Sequence, residues 1–356
     1  MRRALLFNPE NDLALAADTL RYTPPPAAAA LSRAGALLPL WWSGPDDVIM
    51  APESDAEAAA RLCREYGFEG TIGLQSDIPS VEECCPWGWS RNTRWRYESA
   101  GVGREALPSD EWLEHHRLLS HRRISVSISS EIGIPEDLLP VEAFSRQEAQ
   151  RAISRFDGQA FIKLPWSSSG RGVFDVRRLD SSTLTRYIDG FIRRQGSVMV
   201  ERARHKSKDF AMLFRCSGGI AAFVAMSGFH TDSAGRYLGN LIASDETVIG
   251  RLGVDPRIWA APLARAITSV IAPYYNGWVG IDMMTEEKPS GGLEIVPCVE
   301  ANVRMTMGVV ARFIYDRLGM DMLLSVSRDP AAGSGQIDLS PVSAQTGMHI
   351  IASPLH

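Results

Sequence analysis

The sequence predicts a chain of α/β and α+β parts: an N-terminal parallel α/β domain followed by a fold of two lobes. Three observations predict it. Short apolar runs alternate with helical patterns in the first part of the chain, which favours parallel strands joined by helices. After the break at Gly133-Ile134-Pro135 the order becomes strand, helix, strand, strand, helix, strand, the make-up of one small α+β lobe. Farther on, strands paired through Ser217-Gly218-Gly219 lead by a long helix to two more apolar strands. The expected boundaries are 1–118 for the N-terminal domain, 119–196 for the small lobe, 197–328 for the second lobe and 329–356 for a loosely packed tail.

Each element has its own signal. Residues 3–8 form a short buried strand ending in a loop, and 37–42, 48–50 and 71–74 are further strand candidates. Ser54 and Glu57 have capping-box spacing, and the helix they open carries Ala58, Leu62 and Cys63 on one face. Residues 90–132 read as mostly helical, broken at Gly101-Val102-Gly103 and at Pro108-Ser109. In the small lobe, strands are expected at 140–144, 160–164, 173–176 and 197–201, with helices at 146–156 and 182–194. In the second lobe, strands are expected at 210–216, 220–226, 278–284 and 293–300, with helices at 256–275 and 308–318. Beyond Arg328 small residues and prolines replace any periodicity, and no segment repeats.

Bulk properties exclude several classes. The 356 residues are 45% hydrophobic and 22% charged, enough for two or three buried cores. A net charge of -5 argues against a nucleic-acid partner, which calls for a basic face. The arginine-rich stretch 91–123 is interrupted by acids, so it is expected to be solvated helix surface, as are His115, His116 and His121. No apolar run reaches the ~20 residues of a membrane span, and the N-terminus does not look like a signal peptide. The 5 cysteines are odd in number and lack C-x-x-C spacing, which fits a reducing cytoplasm.

Chemistry concentrates at three places. Lys163 ends an apolar strand and opens the loop Trp166-Ser167-Ser168-Ser169-Gly170-Arg171-Gly172. Small residues there let backbone N–H groups approach phosphate, and Lys163 supplies a point charge; the plain alternative is a flexible hairpin with an edge lysine. Lysine is scarce, with Lys163, Lys206, Lys208 and Lys288 against 37 basic residues in all, so a lysine at this place carries weight. Glu201 closes the strand Ser197-Val198-Met199-Val200, either to meet a ligand or to cap a turn. Asp282 lies in one apolar strand and Val299-Glu300-Ala301-Asn302-Val303-Arg304 ends the next. Residues two apart share a strand face, so Glu300, Asn302 and Arg304 align with Asp282 beside them. Two carboxylates and an amide suit Mg²⁺, and Arg304 suits a transferring phosphoryl group; the alternative is a buried salt bridge.

This ordered set, from the lysine strand to E-x-N-x-R, resembles the ATP-grasp superfamily over roughly residues 120–318. The resemblance implies a pre-ATP-grasp-like N-terminal domain, then an ATP-grasp fold that binds ATP and Mg²⁺, with Mn²⁺ as the alternative metal. It implies that Lys163 contacts the α- and β-phosphates while Ser167, Ser168, Ser169, Gly170 and Gly172 close over the triphosphate. Glu201, Arg202 and Ala203 would line the adenine pocket and Asp209 the ribose. Asp282, Glu300 and Asn302 would hold the metal, and Arg304, with Lys163, would serve catalysis. An earlier lysine of the family has no counterpart; Arg122 or Arg123 stands nearest, and Arg123 is taken as the candidate for cofactor binding. The later basic residue is open among Lys206, Lys208, His230 and Arg236.

The implied activity is ATP-dependent ligation of a small carboxylate to an amine, or a thiol, through an acyl phosphate. A non-catalytic ATP-binding protein and a small-molecule kinase are the alternatives, and a homodimer is left open. The acceptor is expected between the lobes and the N-terminal domain, where Asn8-Pro9-Glu10-Asn11-Asp12 and Pro86-Trp87-Gly88-Trp89-Ser90 are candidate contacts.

Overall fold

The structure is a computed structural model that describes all residues except 70–77, 168, 169, 171, 233–236, 289, 330, 332, 340–346 and 356. It begins with strand β1 (Arg3–Leu6), helices α1 (Asn11–Ala17) and α2 (Pro26–Ala34), strand β2 (Val48–Ile49), helix α3 (Ala56–Tyr66) and strand β3 (Glu83–Pro86). The strands lie in the order β2-β1-β3 and both pairings are parallel, as the alternation of strand and helix signals requires. Helices α4 (Arg91–Ser99), α5 (Asp110–Leu119) and α6 (Arg123–Glu131) follow. Ser90 and Ser109 cap the first two by accepting the Thr93 and Trp112 amides.

The small lobe runs β4 (Val141–Ala143), α7 (Arg146–Arg155), β5 (Ala160–Lys163), β6 (Val173–Asp175), α8 (Ser181–Gln195) and β7 (Val198–Arg202). Its antiparallel sheet has the order β4-β7-β5-β6 and packs on Ala149, Ile153, Ile188 and Phe191 of its two helices. The last part comprises β8 (Lys206–Ser217), β9 (Ile220–Thr231), β10 (Tyr237–Ile242), α9 (Asp245–Leu252), α10 (Ala260–Val270), β11 (Gly277–Glu287), β12 (Leu293–Asn302), α11 (Met307–Leu318), β13 (Met322–Ser327), β14 (Ile337–Asp338) and β15 (His349–Pro354). Its strands make one sheet in the order β12-β11-β8-β9-β10-β13-β15-β14. One face packs on α6, α9 and α10 through Ile128, Val248 and Leu263. The other, through Leu213, Leu324 and Ile350, shares a core with α11 and with Leu38, Leu40 and Leu62 of the N-terminal part.

Several expectations need correction. Residues 37–42 are a 3₁₀ turn, Leu38–Trp42, not a strand: Pro39 sits in its first turn, and Leu38, Leu40 and Trp41 are all buried without strand alternation. The described residues of the tail are not loosely packed. Strand β15 pairs with β13, Ile350, Ile351 and Ala352 are buried, and the Trp41 indole donates to the Leu339 carbonyl at 3.0 Å. The first residue of α3 follows a 3₁₀ turn, Glu53–Asp55, and no side chain caps it; Asp55 accepts Arg33 instead. Residues 256–275 divide into a 3₁₀ turn at Pro256–Trp259 and α10. His116 and His121 are buried rather than on a helix surface, His116 between the rings of Trp112 and Tyr275 at 4.9 and 5.4 Å. The strand candidate at 71–74 lies outside the described residues.

Candidate active site

Strand register builds the acidic side of the site. Asp282 on β11 lies directly opposite Glu300 on β12, and Gly280 opposite Asn302, so the three oxygen-bearing side chains gather on one face. Burial first, and then the neighbouring Glu300 charge, raises the Asp282 carboxyl above the usual carboxylate range. Arg304, just beyond β12, is fixed on nearly every side. Its Nε donates to both oxygens of Asp12 at 2.8 and 3.0 Å, and its Nη2 donates to Asp12 at 2.6 Å and to the Asn302 Oδ1 at 2.9 Å. Its Nη1 donates to the Met305 carbonyl at 2.9 Å.

The opposite wall comes from the small lobe. Phe161 pairs with Glu201 and Lys163 with Met199 across β5 and β7, which puts Lys163 and Glu201 diagonally on one face. Their ion pair closes at 2.5 Å, with Lys163 buried. Beyond the β5–β6 pairing the Leu164 amide donates to the Gly172 carbonyl at 2.9 Å. Gly172 has φ 76, and a Cβ there would meet the Leu164 side chain at 2.6 Å, so glycine is required. Ser168 and Ser169 lie outside the described residues.

Arg122 ties the two walls together. Its Nη1 reaches Glu300 at 2.6 Å and its Nη2 donates to the Ser167 hydroxyl at 3.0 Å. Its Nε donates to the Leu164 carbonyl at 3.0 Å. The Arg123 side chain instead pairs with Glu142 at 2.9 Å and does not line the cleft, which corrects the choice between the two arginines. The helix start at residue 123 turns consecutive side chains apart, so only one of the pair can face inward.

Between the walls lies a cleft of about 900 Å³. Lys163, Gly170, Glu201, Arg202, Asp209, Asp282, Glu300, Asn302 and Arg304 all border it. Ala203 does not, and its amide is committed to the Gln159 carbonyl at 2.8 Å. Asp209 accepts from Lys206 and from Thr231, each at 2.6 Å. Of the later basic candidates Lys206 borders the cleft, Lys208 bonds to the Arg251 carbonyl, His230 is exposed and Arg236 lies outside the described residues. Among the described residues no group of three His, Cys, Asp or Glu side chains could hold a metal. Asp282 and Glu300 with the Asn302 amide nevertheless fit Mg²⁺, a hard ion that takes one or two carboxylates and keeps other oxygen ligands. A cation there would offset both the burial and the Glu300 repulsion that raise the Asp282 carboxyl.

No protein-family model matches the chain, and no curated protein matches its sequence. Its structure does have counterparts. The biotin carboxylase domain of Hydrogenobacter thermophilus 2-oxoglutarate carboxylase, solved with MgADP, ADP and bicarbonate, aligns at a TM-score of 0.53 and 11% identity, over 99% of this chain and 86% of that one. An ATP-grasp superfamily protein from Archaeoglobus fulgidus aligns over 100% of both chains, at a TM-score of 0.51 and 11% identity. N5-carboxyaminoimidazole ribonucleotide synthetase from Thermus thermophilus aligns at 0.51 and 12% identity, over 100% of this chain and 94% of its own. The chain has the ATP-grasp fold.

Two residues of the site carry no local sequence signature of their place. Asp12 belongs to a segment singled out for its position after β1, yet nothing local pairs it with Arg304, 292 residues away. Arg122 is one of two adjacent arginines, and only the direction of the helix start separates them. No helix among the described residues is long and apolar enough to cross a membrane.

Proposed function

We propose that the chain is an ATP- and Mg²⁺-dependent ligase that joins a small carboxylate to an amine, or a thiol, through an acyl phosphate. One observation carries this: Asp282, Glu300 and Asn302 face the Lys163–Glu201 wall across a single cleft in an ATP-grasp fold. In this account Lys163 leaves Glu201 to meet the phosphates, and the hairpin ending at Gly172 closes over them. Glu201 and Arg202 take the nucleoside end, with Asp209 near the ribose. Asp282, Glu300 and Asn302 would hold Mg²⁺, which would supply charge screening for the triphosphate and for the phosphoryl group in transfer. Arg304, fixed by Asp12, keeps a positive charge beside the acceptor carboxylate, whose oxygen attacks the γ-phosphorus as ADP leaves. The amine then attacks the acyl carbon and phosphate departs, so that ATP, acid and amine become ADP, phosphate and amide. Closure of the cleft excludes water, which would otherwise hydrolyse the acyl phosphate. The five free cysteines support a reducing, cytoplasmic setting.

The test is ADP release from Mg²⁺–ATP with paired carboxylic acids and amines, with hydroxylamine in place of the amine as a trap. Release that needs both partners, and a hydroxamate in the trapped reaction, supports ligation. A stable phosphorylated product would identify a kinase. Nucleotide binding without any release would identify a binding protein.

A further inference from the structure

Beyond the acidic pair, the cleft continues along the large sheet to a second polar point. Asp282 on β11 lies opposite Ala211 on β8, and Ala211 opposite Ser227 on β9. Direct partners share a face, so Ser227 stands two inter-strand spacings from Asp282, about 10 Å along the same wall. The small Ala211 between them leaves the space open. Ser227 and Asn240 border the cleft although they are only 2% and 3% exposed. A buried polar pair of this kind needs a reason.

Hydrogen-bond direction supplies one. The Asn240 Nδ2 donates to the Gly228 carbonyl at 3.4 Å, and a carbonyl can only accept, so that end of the amide carries the hydrogens. Its other hydrogen goes to the Ser227 Oγ at 2.8 Å. The Asn240 Oδ1 accepts from the Tyr237 hydroxyl. Burial pushes the Tyr237 hydroxyl pKa up, which keeps it a donor. The chain therefore runs Tyr237, Asn240, Ser227, and its last member has a proton with no protein acceptor among the described residues. Ser227 touches the start of α11, where a Cβ on Gly308 would lie 2.6 Å from its Oγ. The first-turn amides of Met307 and Gly308 also have no partner among the described residues, and both residues border the cleft. These three donors lie where β9 meets the start of α11, and Leu31, Trp87, Met307 and Val326 give the cleft wall an apolar character.

We infer that this spot is a second anchoring point for the acceptor, built to receive a carboxylate or carbonyl oxygen at the far end of an elongated, apolar-bodied acid. The inference rests on the ligase reading and deepens it. One carboxyl group lies at the metal carboxylates and is activated; the other accepts from Ser227 and the start of α11 and stays unreacted. Ser227 is a specificity-determining residue on this account and takes no part in the chemistry.

Suberate and octanoate, equal in carbon number and different by one carboxylate, are the probes. Each is titrated calorimetrically into the protein already saturated with Mg²⁺ and a non-hydrolysable ATP analogue. The wild type should bind suberate at least ten-fold more tightly than octanoate. Ser227→Ala should reduce that preference to three-fold or less. Equal affinity of the wild type for the two acids would overturn the second anchoring point, as would a preference that Ser227→Ala leaves intact. Failure of the analogue itself to bind the wild type would instead count against the ligase reading. Because the wild-type comparison decides by itself, a poorly folded variant leaves the outcome clear.

Discussion

At the scale of single residues, the site consists of charges held in place by other charges. Arg304 is engaged by Asp12, Asn302 and Met305, and Asp12 comes from the N-terminal helix α1. Removal of Asp12 leaves a guanidinium only 14% exposed without its carboxylate. Asp12→Ala should therefore lower unfolding stability by about 3–5 kcal/mol, the cost of orphaning one member of a buried ion pair, as measured in urea. A loss under about 1 kcal/mol, the range of an exposed pair, would mean that Arg304 finds water or another partner. Much of this level was legible beforehand. Lys163, Glu201, Asp282, Glu300 and Asn302 stood out because ionisable or amide groups on apolar strands are conspicuous, and strand alternation assigned their faces. Asp12 was legible only as part of a loop, and Arg122 only as one of two neighbours, because pairing across the fold leaves no local trace.

At the scale of elements, the turn at 217–219 was legible because local chemistry fixes the backbone there, whereas the capping-box spacing at Ser54 yielded no cap. The small-lobe strands and α7 formed close to their expected places. The misreadings occurred where tertiary packing decides. The run at Leu38–Trp42 is apolar enough for a strand, yet it is buried as a 3₁₀ turn against the second lobe. Strand β3 has two cysteines between Glu83 and Pro86 and gives no alternating pattern, but pairing with β1 makes it a strand. Strand β15 owes its place to β13, since Ile350 and Ala352 enter the core beneath α11. Ile350→Ala should cost about 2–5 kcal/mol in chemical denaturation, the range for deleting a fully buried branched side chain. A cost near zero would show that the terminal strand detaches from the sheet.

At the scale of the whole molecule, the N-terminal part and the large sheet share one apolar core, while Trp112 and Leu119 of α5 pack into the core on the other face of that sheet. Helix α5 carries His116, buried among aromatic rings with neither ring nitrogen bonded among the described residues. Burial, and then the neighbouring His115, lowers its pKa from 6.5 to about 3. A folded-state pKa below the unfolded one means that the unfolded chain binds more protons as pH falls. The stability due to a neutral His116 is complete above pH 6.5 and is lost between there and about pH 3. The wild type should lose up to about 1.4 kcal/mol per pH unit from this group across that window. His116→Phe should flatten the curve, and an unchanged curve would contradict the account. The acidic and basic walls meet only when both lobes are in place, so nucleotide binding measures the assembled site. The most direct measurement is calorimetry of a non-hydrolysable ATP analogue, with and without Mg²⁺, on the wild type, Lys163→Ala and Glu300→Gln, each checked for folding by circular dichroism. The account predicts Mg²⁺-dependent binding that either substitution weakens ten-fold or more, about 1.4 kcal/mol. A folded wild type that binds no analogue, or binding that neither substitution disturbs, would contradict it.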